Sequence, residues 1–269
     1  MNILIIQENG HHERNRNFRE CFCLKRGFEH HGKTVDIWGK GHDNFSETPD
    51  WKSYDLIFAI ENWDWMPDVS NINIPTFIWA IDAHCKGPKV YEQYGFDKVL
   101  HSSPVFAKDN CWLPNCYDDS LIKPMNQEKL HDVGFCGNVV NRGEFIGYMM
   151  RNYQMRFDEM VIGPDMVEAV NSYKIHWNVN ISVDINYRNF ETMGCGTCLL
   201  TSFNEHYEAL GFKSEENCLI WKDITQMNEL ITKALGDNEW RESISKNGYE
   251  LVVNNHTYKH RAKTILEMI

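Results

Sequence analysis

Two runs of alternating β-rich and helix-like segments, separated by a proline-bearing stretch, constrain this chain more than any other feature of its sequence. Short apolar segments followed by helix-length spacers are typical of βαβ units, in which parallel strands are covered by crossover helices. In the first run, the pattern predicts strands at 2–6, 34–38, 56–60, 76–81 and 98–101, and helices at 14–31 and 88–94.

The second run repeats the pattern after residues 111–130, which carry two prolines and few periodic apolar positions. It predicts strands at 132–136, 159–162, 177–181, 198–201 and 218–221, and helices at 143–153, 166–172, 225–235, 238–247 and 256–268. The predicted fold is therefore α/β, with two Rossmann-like domains facing each other across a cleft. We assign 1–120 to an N-terminal domain, 121–255 to a second domain, and 256–269 to a helix that packs back on the first domain.

Charge and the lengths of the apolar runs limit the partners and the compartment that we expect for this protein. The formal net charge of −11 gives no general attraction for nucleic acid, although residues 11–40 carry seven Lys or Arg against four Asp or Glu. The N-terminus has no signal-peptide pattern, and the longest apolar runs are far shorter than the ~20 residues that span a bilayer. Nine cysteines suit reduced thiols, so we expect a cytoplasmic protein, in the host cytoplasm if it is phage-encoded.

Several common motifs are absent. The first predicted strand is followed by ENGHHERNR, which lacks GxGxxG, and no GxxxxGK[ST] occurs. Tyr94 and Lys98 have the Tyr-x-x-x-Lys spacing of some dehydrogenases, but Lys98 begins a predicted strand. Cys195 and Cys198 lack the second pair that a structural zinc site needs, and there is no Asp-x-Asp. We therefore predict neither a nicotinamide nor a metal cofactor.

Charged and glycine-bearing loops follow several strands, where ligands of such folds bind. After the first strand, basic side chains stand at a predicted helix start that favours anions, or that is simply solvated: His11, His12, Arg14 and Arg16. In the second half, FCGNVVNRGEF and DINYRNFETMGCGTCLLTS combine glycines with a guanidinium or a carboxylate: Gly137, Arg142, Arg188, Glu191, Gly194 and Gly196. Such groups suit a diphosphate and a ribose, although an ordinary surface turn has the same composition.

These two segments, together with the tail NGYELVVNNHTYKHRAKTILEMI, resemble the nucleotide-binding domain of GT-B glycosyltransferases. The nearest resemblance is to the spore-maturation-type (CgeB-like) group of the family-1-like glycosyltransferases. The first half resembles the same group through IWAIDAH, FDKVLHSS and WLPNCYDD. The similarity covers 74–269 and is strongest in 131–202 and 247–269.

The resemblance implies roles for the second-half residues. Glu191 would hold the donor ribose, Gly194 and Gly196 would line the donor phosphates, and Arg142 and Arg188 would neutralise the departing diphosphate. Many retaining members have a second glutamate eight positions before the ribose-binding one. That position is Val183 here, followed by Asp184, so the stereochemical outcome is not predicted.

The acceptor side rests on the loop after TFIWAI. Asp82 follows this strand directly, which makes it the first candidate for a general base, with His84 second and His11 a further catalytic candidate. A capping Asp and a loop His are the alternative. His12, Arg14 and Arg16 are the candidates for acceptor binding. Trp63, Trp65 and Met66 could line the acceptor site, although an apolar cap over the sheet edge fits them better.

The implied activity is metal-independent transfer of a hexose or pentose from a nucleotide diphosphate sugar, with a UDP-sugar expected as co-substrate, to a hydroxyl acceptor. The compact, Asn-rich chain is similar in style to phage enzymes that glycosylate hydroxymethylated DNA bases, and a glycan is the other expected acceptor. The alternative function is a non-catalytic module that binds a nucleotide sugar or a glycan.

Overall fold

The structure is a computed structural model that describes residues 1–62, 65–108 and 111–269, and it divides into two compact units. Unit 1 comprises Met1–Asn115, Ser182–Asp184 and Thr257–Ile269, and unit 2 comprises Cys116–Ile181 and Ile185–His256. Each unit contains a five-stranded parallel sheet with helices. Within the described ranges, no helix is both long enough and apolar enough to cross a membrane.

Unit 1 is built on a sheet with the order β2-β1-β3-β4-β5. Its strands are β1 (Asn2–Ile6), β2 (Thr34–Trp38), β3 (Leu56–Ile60), β4 (Thr76–Ala80) and β5 (Lys98–His101), and its helices are α1 (Glu20–His30), α2 (Ala83–Lys86), α3 (Lys89–Glu92) and α9 (Tyr258–Leu266). Every residue of β3 and β4 is buried, as expected for central parallel strands. Helix α9 packs on α1 at Gly27, where an added Cβ would lie 2.5 Å from the Tyr258 carbonyl oxygen.

The single helix predicted over 14–31 is wrong, because the chain breaks at Arg19. Residues Glu13–Phe18 form a 3-10 helix, and α1 begins only after Arg19, whose backbone is extended. The Gln7 side chain accepts a 2.8 Å bond from the Cys21 amide, which supplies a partner for the first turn of α1. The Arg19 guanidinium meanwhile lies 2.6 Å from Glu8. These two contacts fix the start of the helix.

Unit 2 is built on a sheet with the order β10-β9-β8-β6-β7. Its strands are β6 (His131–Gly137), β7 (Arg156–Glu159), β8 (Tyr173–Asn178), β9 (Cys198–Ser202) and β10 (Leu219–Trp221), and its helices are α4 (Gly143–Tyr153), α5 (Pro164–Asn171), α6 (Tyr187–Gly194), α7 (Ile224–Gly236) and α8 (Asn238–Asn255). Phe135 and Trp177 lie at the centre of its core, with rings 5.6 Å apart.

Two strands of unit 2 lie earlier in the sequence than predicted. The apolar residues of 159–162 indicate a strand, but Met160 has φ +56 and is 58% exposed, so the strand ends before it. Strand β7 instead uses RFDE at the sheet edge, where Phe157 stacks on Phe135. The prediction of 177–181 misses β8 because its sequence, YKIHWN, places polar residues in a buried central strand.

Helix α8 is longer than the predicted 238–247, because Gly248 does not end it. An added Cβ at Gly248 would lie 2.5 Å from the Asn217 carbonyl oxygen and 3.2 Å from the Met193 side chain. The glycine is therefore required for close packing of the helix, and it does not act as a C-terminal cap.

Candidate functional site

Buried Glu61 organises the carboxyl edge of the unit 1 sheet. It follows β3, is 8% exposed, and its Oε2 accepts bonds of 2.7 Å from the amides of Ile81 and Asp82. The same oxygen accepts a 2.6 Å bond from the Tyr91 hydroxyl, and Oε1 lies 2.9 Å from Lys86 Nζ. One carboxylate thus fixes the backbone of the loop after β4. Sequence reasoning missed Glu61, although a carboxylate directly after an apolar strand is the same signal that selected Asp82.

Asp82 and His84 lie on that fixed loop. Asp82 is the N-cap of α2 but makes no side-chain capping bond, and no protein hydrogen bond to its carboxylate is present among the described residues. Burial and the neighbouring Glu61 charge raise the pKa of Asp82 above its ordinary value. The buried Nδ1 of His84 likewise has no hydrogen-bond partner in the described part of the chain. A half-buried carboxylate and an imidazole without protein partners are suited to proton transfer.

The basic loop after β1 reaches the same edge. His11, His12, Arg14 and Arg16 are all exposed on or beside the 3-10 helix Glu13–Phe18. The Glu8 amide donates a 2.8 Å bond to Asn62 Oδ1, which ties this loop to the one after β3. The structure therefore places the predicted acceptor-side residues on neighbouring loops of one sheet edge.

The aromatic segment after β3 packs on unit 1 itself. The Trp65 ring lies 5.1 Å from that of Trp38 and 5.0 Å from that of Phe45, and Met66 packs against the same core. This packing agrees with the second interpretation of the segment, an apolar cap over the sheet edge. Trp63, named with them as a wall residue, lies outside the described residues.

At the carboxyl edge of the unit 2 sheet, Gly137 and Arg188 form a close pair. The Arg188 Nε donates a 2.8 Å bond to the Cys136 carbonyl oxygen, and its guanidinium lies 5.4 Å from the Phe135 ring centre. An added Cβ at Gly137 would lie 2.2 Å from Arg188 Nε. A side chain at Gly137 would therefore displace the guanidinium that covers its Cα. The two loops singled out in the second half meet here.

Arg142 has a structural role that its sequence context does not reveal. It is 4% exposed, and its guanidinium donates to the carbonyl oxygens of Val179 at 3.0 Å, Asn138 at 3.2 Å and Val140 at 3.4 Å. These bonds join the loop after β6 to the loop after β8. These described bonds make Arg142 a positioning residue for the two loops, and its predicted contact with a diphosphate stays a prediction.

Glu191 is half-buried in the middle of α6, three residues after Arg188. Burial raises the pKa of Cys136 on β6, and the charges of Asp158 and Glu191 add to this shift, so the Glu191 carboxylate lies near the same sheet edge. Buried His176 anchors the helix: its Nε2 accepts a 3.1 Å bond from the Cys136 amide, and its Nδ1 lies 2.6 Å from Thr192 Oγ1. Burial lowers the pKa of His176 to about 3, so the ring is neutral with the proton on Nδ1.

A network of buried amides under the N-terminus of α6 was not predicted. Asn178 Nδ2 lies 3.3 Å from acceptors on Asn186, Asn189 and Thr201, and Asn189 Nδ2 donates a 2.8 Å bond to Asn180 Oδ1. The network joins the ends of β8 and β9 to the first turn of α6. The only sequence signal was the density of asparagines in NVN and NYRN, which looks like a loop.

Gly194 and Gly196 lie at the opposite end of α6 from Arg188. They precede β9, and so they lie at the amino edge of the parallel sheet. An added Cβ at Gly194 would lie 2.5 Å from the Tyr117 ring, and one at Gly196 would lie 3.0 Å from Pro124. The structure thus places both glycines at the sheet edge opposite Gly137 and Arg188, and their predicted role at the donor phosphates stays a prediction. They permit close packing, and Gly196 also adopts φ +65.

The structure also describes the Tyr-x-x-x-Lys spacing of Tyr94 and Lys98 and the cysteines. Lys98 lies in β5, where it donates a 2.6 Å bond to the Met268 carbonyl oxygen, so it shares no helix with Tyr94. All nine cysteines are free thiols, and the residues that the structure describes contain no group of three His, Cys, Asp or Glu side chains suited to a metal ion.

Comparison with solved structures identifies the fold. The whole chain is similar to sucrose-phosphate synthase from Thermosynechococcus elongatus, with TM-score 0.67, 12% identity and coverage of 99% of this chain and 98% of that one. It is also similar to an alpha-glucosyltransferase in complex with UDP and DNA (TM-score 0.65, 11% identity) and to HepE of Anabaena in complex with UDP-glucose (TM-score 0.63, 11% identity), each covering 100% of this chain and 99% of the other. The two parallel sheets are thus those of the GT-B fold.

The sequence matches the glycosyl transferase-like family over residues 120–267, which is more than half of the chain. The protein belongs to this family. No curated protein sequence matches the chain. The family match contains all of the second-half residues selected above, together with helix α9.

Proposed function

We propose that the protein transfers a sugar from a nucleotide diphosphate sugar to a hydroxyl acceptor, with the donor bound at the carboxyl edge of the unit 2 sheet. The observation that carries this proposal is the Arg188 guanidinium lying over Gly137, with Glu191 one turn further along the same helix. A fixed cation, the N-terminus of α6 and a half-buried carboxylate are the groups that a diphosphate and a ribose require. Solved GT-B structures bound to UDP and to UDP-glucose support a UDP-sugar as the donor.

In this proposal Arg188 stabilises the departing diphosphate. One face of its guanidinium is already held by Phe135 and the Cys136 carbonyl, so little reorganisation is needed when charge develops. Glu191 accepts hydrogen bonds from the ribose hydroxyls. Arg142 and the asparagine network keep the two loops in place. The leaving-group charge is balanced by protein groups, which is the basis for proposing a metal-independent reaction.

On unit 1, Asp82 is the proposed general base for the acceptor hydroxyl. Its raised pKa brings its basicity closer to that required near neutral pH, and its carboxylate is not engaged by a protein donor among the described residues. His84 is the second candidate and His11 a further one. In the transfer, the acceptor oxygen forms a bond to the anomeric carbon, the bond to the diphosphate oxygen breaks, and the acceptor proton passes to the base.

The finer assignments are also proposals. We place the protein in the spore-maturation-type group, with a hexose or pentose as the transferred sugar. Exposed His12, Arg14 and Arg16 suit a polyanionic acceptor, and one solved structure of similar fold is an alpha-glucosyltransferase with DNA, so a hydroxymethylated DNA base is the first acceptor to test and a glycan the second. Nine free thiols support a reducing compartment such as the cytoplasm.

The alternative is a binding module that holds a nucleotide sugar without turnover. The unpartnered Asp82 carboxylate argues against it, because a charged group that is partly removed from solvent and has no structural bond is costly to maintain. Calorimetric binding of a nucleotide sugar without hydrolysis or transfer would support this alternative.

The test is a panel of nucleotide sugars assayed for thermal stabilisation and for slow hydrolysis. A donor at about 100 times its Kd should add about 2.7 kcal/mol to the free energy of unfolding. Glu191→Gln should weaken binding of the same donor by about 10- to 100-fold, because a charge-assisted bond contributes about 1.5 to 3 kcal/mol. The matched control is Glu229→Gln, an exposed carboxylate on α7.

Unchanged donor affinity in Glu191→Gln would remove the ribose assignment. If no nucleotide sugar stabilises the protein, the donor class is wrong. Hydrolysis and transfer should persist in EDTA. Complete loss of activity that divalent cations restore would contradict the metal-independent reaction.

A further inference from the structure

A second cationic cavity lies in unit 2, at the amino edge of the sheet. It has a volume of about 380 Å³ and is lined in part by Lys129, Lys174, Arg241 and Lys246, with Glu242 as its one acidic lining residue. Lys129 lies two residues before β6, Lys174 lies at the start of β8, and Arg241 and Lys246 lie on α8. Arg188 lies by the carboxyl end of β6. Because a strand rises about 3.3 Å per residue, the cavity is roughly 20 Å from Arg188.

Two of the four cations in this cavity have no carboxylate partner among the residues that the structure describes. Lys174 lies 2.6 Å from Asp132 and Lys246 lies 3.9 Å from Glu250, so these two are paired. Lys129 donates its described bond to the Thr197 hydroxyl at 2.8 Å. Arg241 is 6% exposed, and its described side-chain bonds both come from Nη1, to the Ala234 carbonyl and Asn238 Oδ1, at 2.7 Å each.

Arg241 retains guanidinium nitrogens that are available to an anion. Its charge is largely removed from solvent, and its Nε and Nη2 have no acceptor among the described residues. The two bonds that hold the turn between α7 and α8 both come from Nη1. A side chain with one nitrogen donor would suffice for them, so they do not explain the presence of an arginine. The neighbouring Lys129 increases the local positive charge.

We propose that this cavity binds a small phosphorylated molecule, with Arg241 and Lys129 on its phosphate. A guanidinium binds phosphate oxygens through two parallel bonds, and the ammonium of Lys129 supplies a further charge. The volume exceeds that of a single phosphate group and is sufficient for a phosphate ester. The site is distinct from the proposed donor site, because the two lie at opposite edges of one parallel sheet.

The protonation of Lys129 gives the site a defined pH dependence. Burial, together with the neighbouring Arg241 charge, lowers the pKa of Lys129 to about 8. Burial raises the pKa of the facing Cys195 and Cys198 thiols, so both remain neutral. The other charged groups that line the cavity are Lys174, Lys246 and Glu242. A bound anion stabilises the protonated ammonium, so the affinity should fall as pH rises through about 8.

The experiment is titration calorimetry of the full chain with inorganic pyrophosphate, inorganic phosphate and ribose 5-phosphate. Arg188→Gln serves as the background, because pyrophosphate could also bind at the proposed donor site. Lys129→Gln, which keeps a donor for Thr197, should weaken binding by about tenfold or more. Arg241→Gln should have at least the same effect, with circular dichroism to check its fold. Lys213→Ala, an exposed unit 2 lysine outside the cavity, is the charge-matched control.

Binding that survives Arg188→Gln and is lost in Lys129→Gln supports the site. A preference for ribose 5-phosphate over inorganic phosphate assigns it to phosphate esters, and the reverse preference assigns it to the free anion. Absence of binding by all three anions, or equal affinity in Lys129→Gln and Lys213→Ala, overturns the proposal. These outcomes are independent of sugar transfer, which the Glu191 variant tests separately.

Discussion

At the scale of single residues, unit 1 separates two carboxylates by their surroundings. Glu61 accepts from two amides and a hydroxyl and pairs with Lys86, so its carboxylate is engaged within the structure. Asp82, whose amide Glu61 holds, has no comparable set of donors in the described part of the chain. Glu61 fixes the loop, and Asp82 is the proposed base. This division supports proton transfer from the acceptor to Asp82.

Asp82→Asn should lower transfer by about 10²- to 10⁴-fold, the usual contribution of a general base, and leave donor affinity unchanged. In the wild type, activity should fall as pH decreases through the raised pKa of Asp82.

Asp82→Asn should also be more stable than the wild type near pH 7. The folded state binds the Asp82 proton more tightly than the unfolded state, so this group reduces stability as pH rises above the ordinary carboxyl pKa.

Steady-state kinetics and urea unfolding at several pH values check both expectations. Glu92→Gln on α3, an exposed carboxylate of the same unit, is the control. Near-normal turnover in Asp82→Asn would place the base elsewhere. A loss of stability at pH 7 would show that the carboxylate has a structural role.

At the scale of elements, helix α6 contains Arg188 and Glu191, the two proposed donor-binding residues. The elements around it also show which features could be predicted from the sequence and which could not. Most strands were predicted because their apolar runs are short and bounded. Strand β8 was misplaced because Lys174 and His176 interrupt its apolar pattern, and only the bonds from Cys136 and to Thr192 make a histidine acceptable there. Arg188 was found from its spacing before a glycine turn, whereas the role of Arg142 depends on carbonyls brought together from distant loops.

His176→Gln should loosen α6 and change the acid stability of the protein. Burial lowers the pKa of His176 to about 3, against about 6.5 when unfolded. Between these values the unfolded state binds a proton that the folded state does not, so stability falls as pH decreases from about 6.5 towards 3. Unfolding free energies should depend less on pH in His176→Gln over this window, and donor affinity should fall as Arg188 is displaced.

Denaturant unfolding between pH 4 and 7 measures this effect. His30→Gln, an exposed histidine at the end of α1, should retain the wild-type slope. An identical pH dependence in His176→Gln and the wild type would mean that His176 is not the group that titrates.

At the scale of the whole molecule, charge is unevenly distributed. The total is −11, yet residues 11–40 are net positive, with exposed Arg14 and Arg16 beside the carboxyl edge of the unit 1 sheet. Polyanions are repelled by the molecule as a whole, so any that bind should do so at this loop and only at moderate salt.

If the acceptor is DNA, its affinity should fall steeply with salt, and Arg14→Ala combined with Arg16→Ala should flatten the slope of log K against log[salt] by about 2. Donor affinity should not change. Fluorescence anisotropy with hydroxymethylated DNA from 50 to 300 mM salt measures the slopes, and Lys213→Ala with Lys233→Ala is the control that removes two charges from unit 2. Acceptor binding that does not respond to salt would argue against DNA and in favour of a neutral glycan.

The packing of α9 on α1 at Gly27 has a consequence for the order in which the chain can fold during synthesis. Unit 1 begins at Met1 but is completed only by Thr257–Ile269. The helix that covers α1 is therefore synthesised after all of unit 2. Domains usually fold in the order in which they are translated. Helix α1 therefore stays incompletely covered until α9 has been synthesised. Unit 1 begins first, but unit 2 is the first that can be completed.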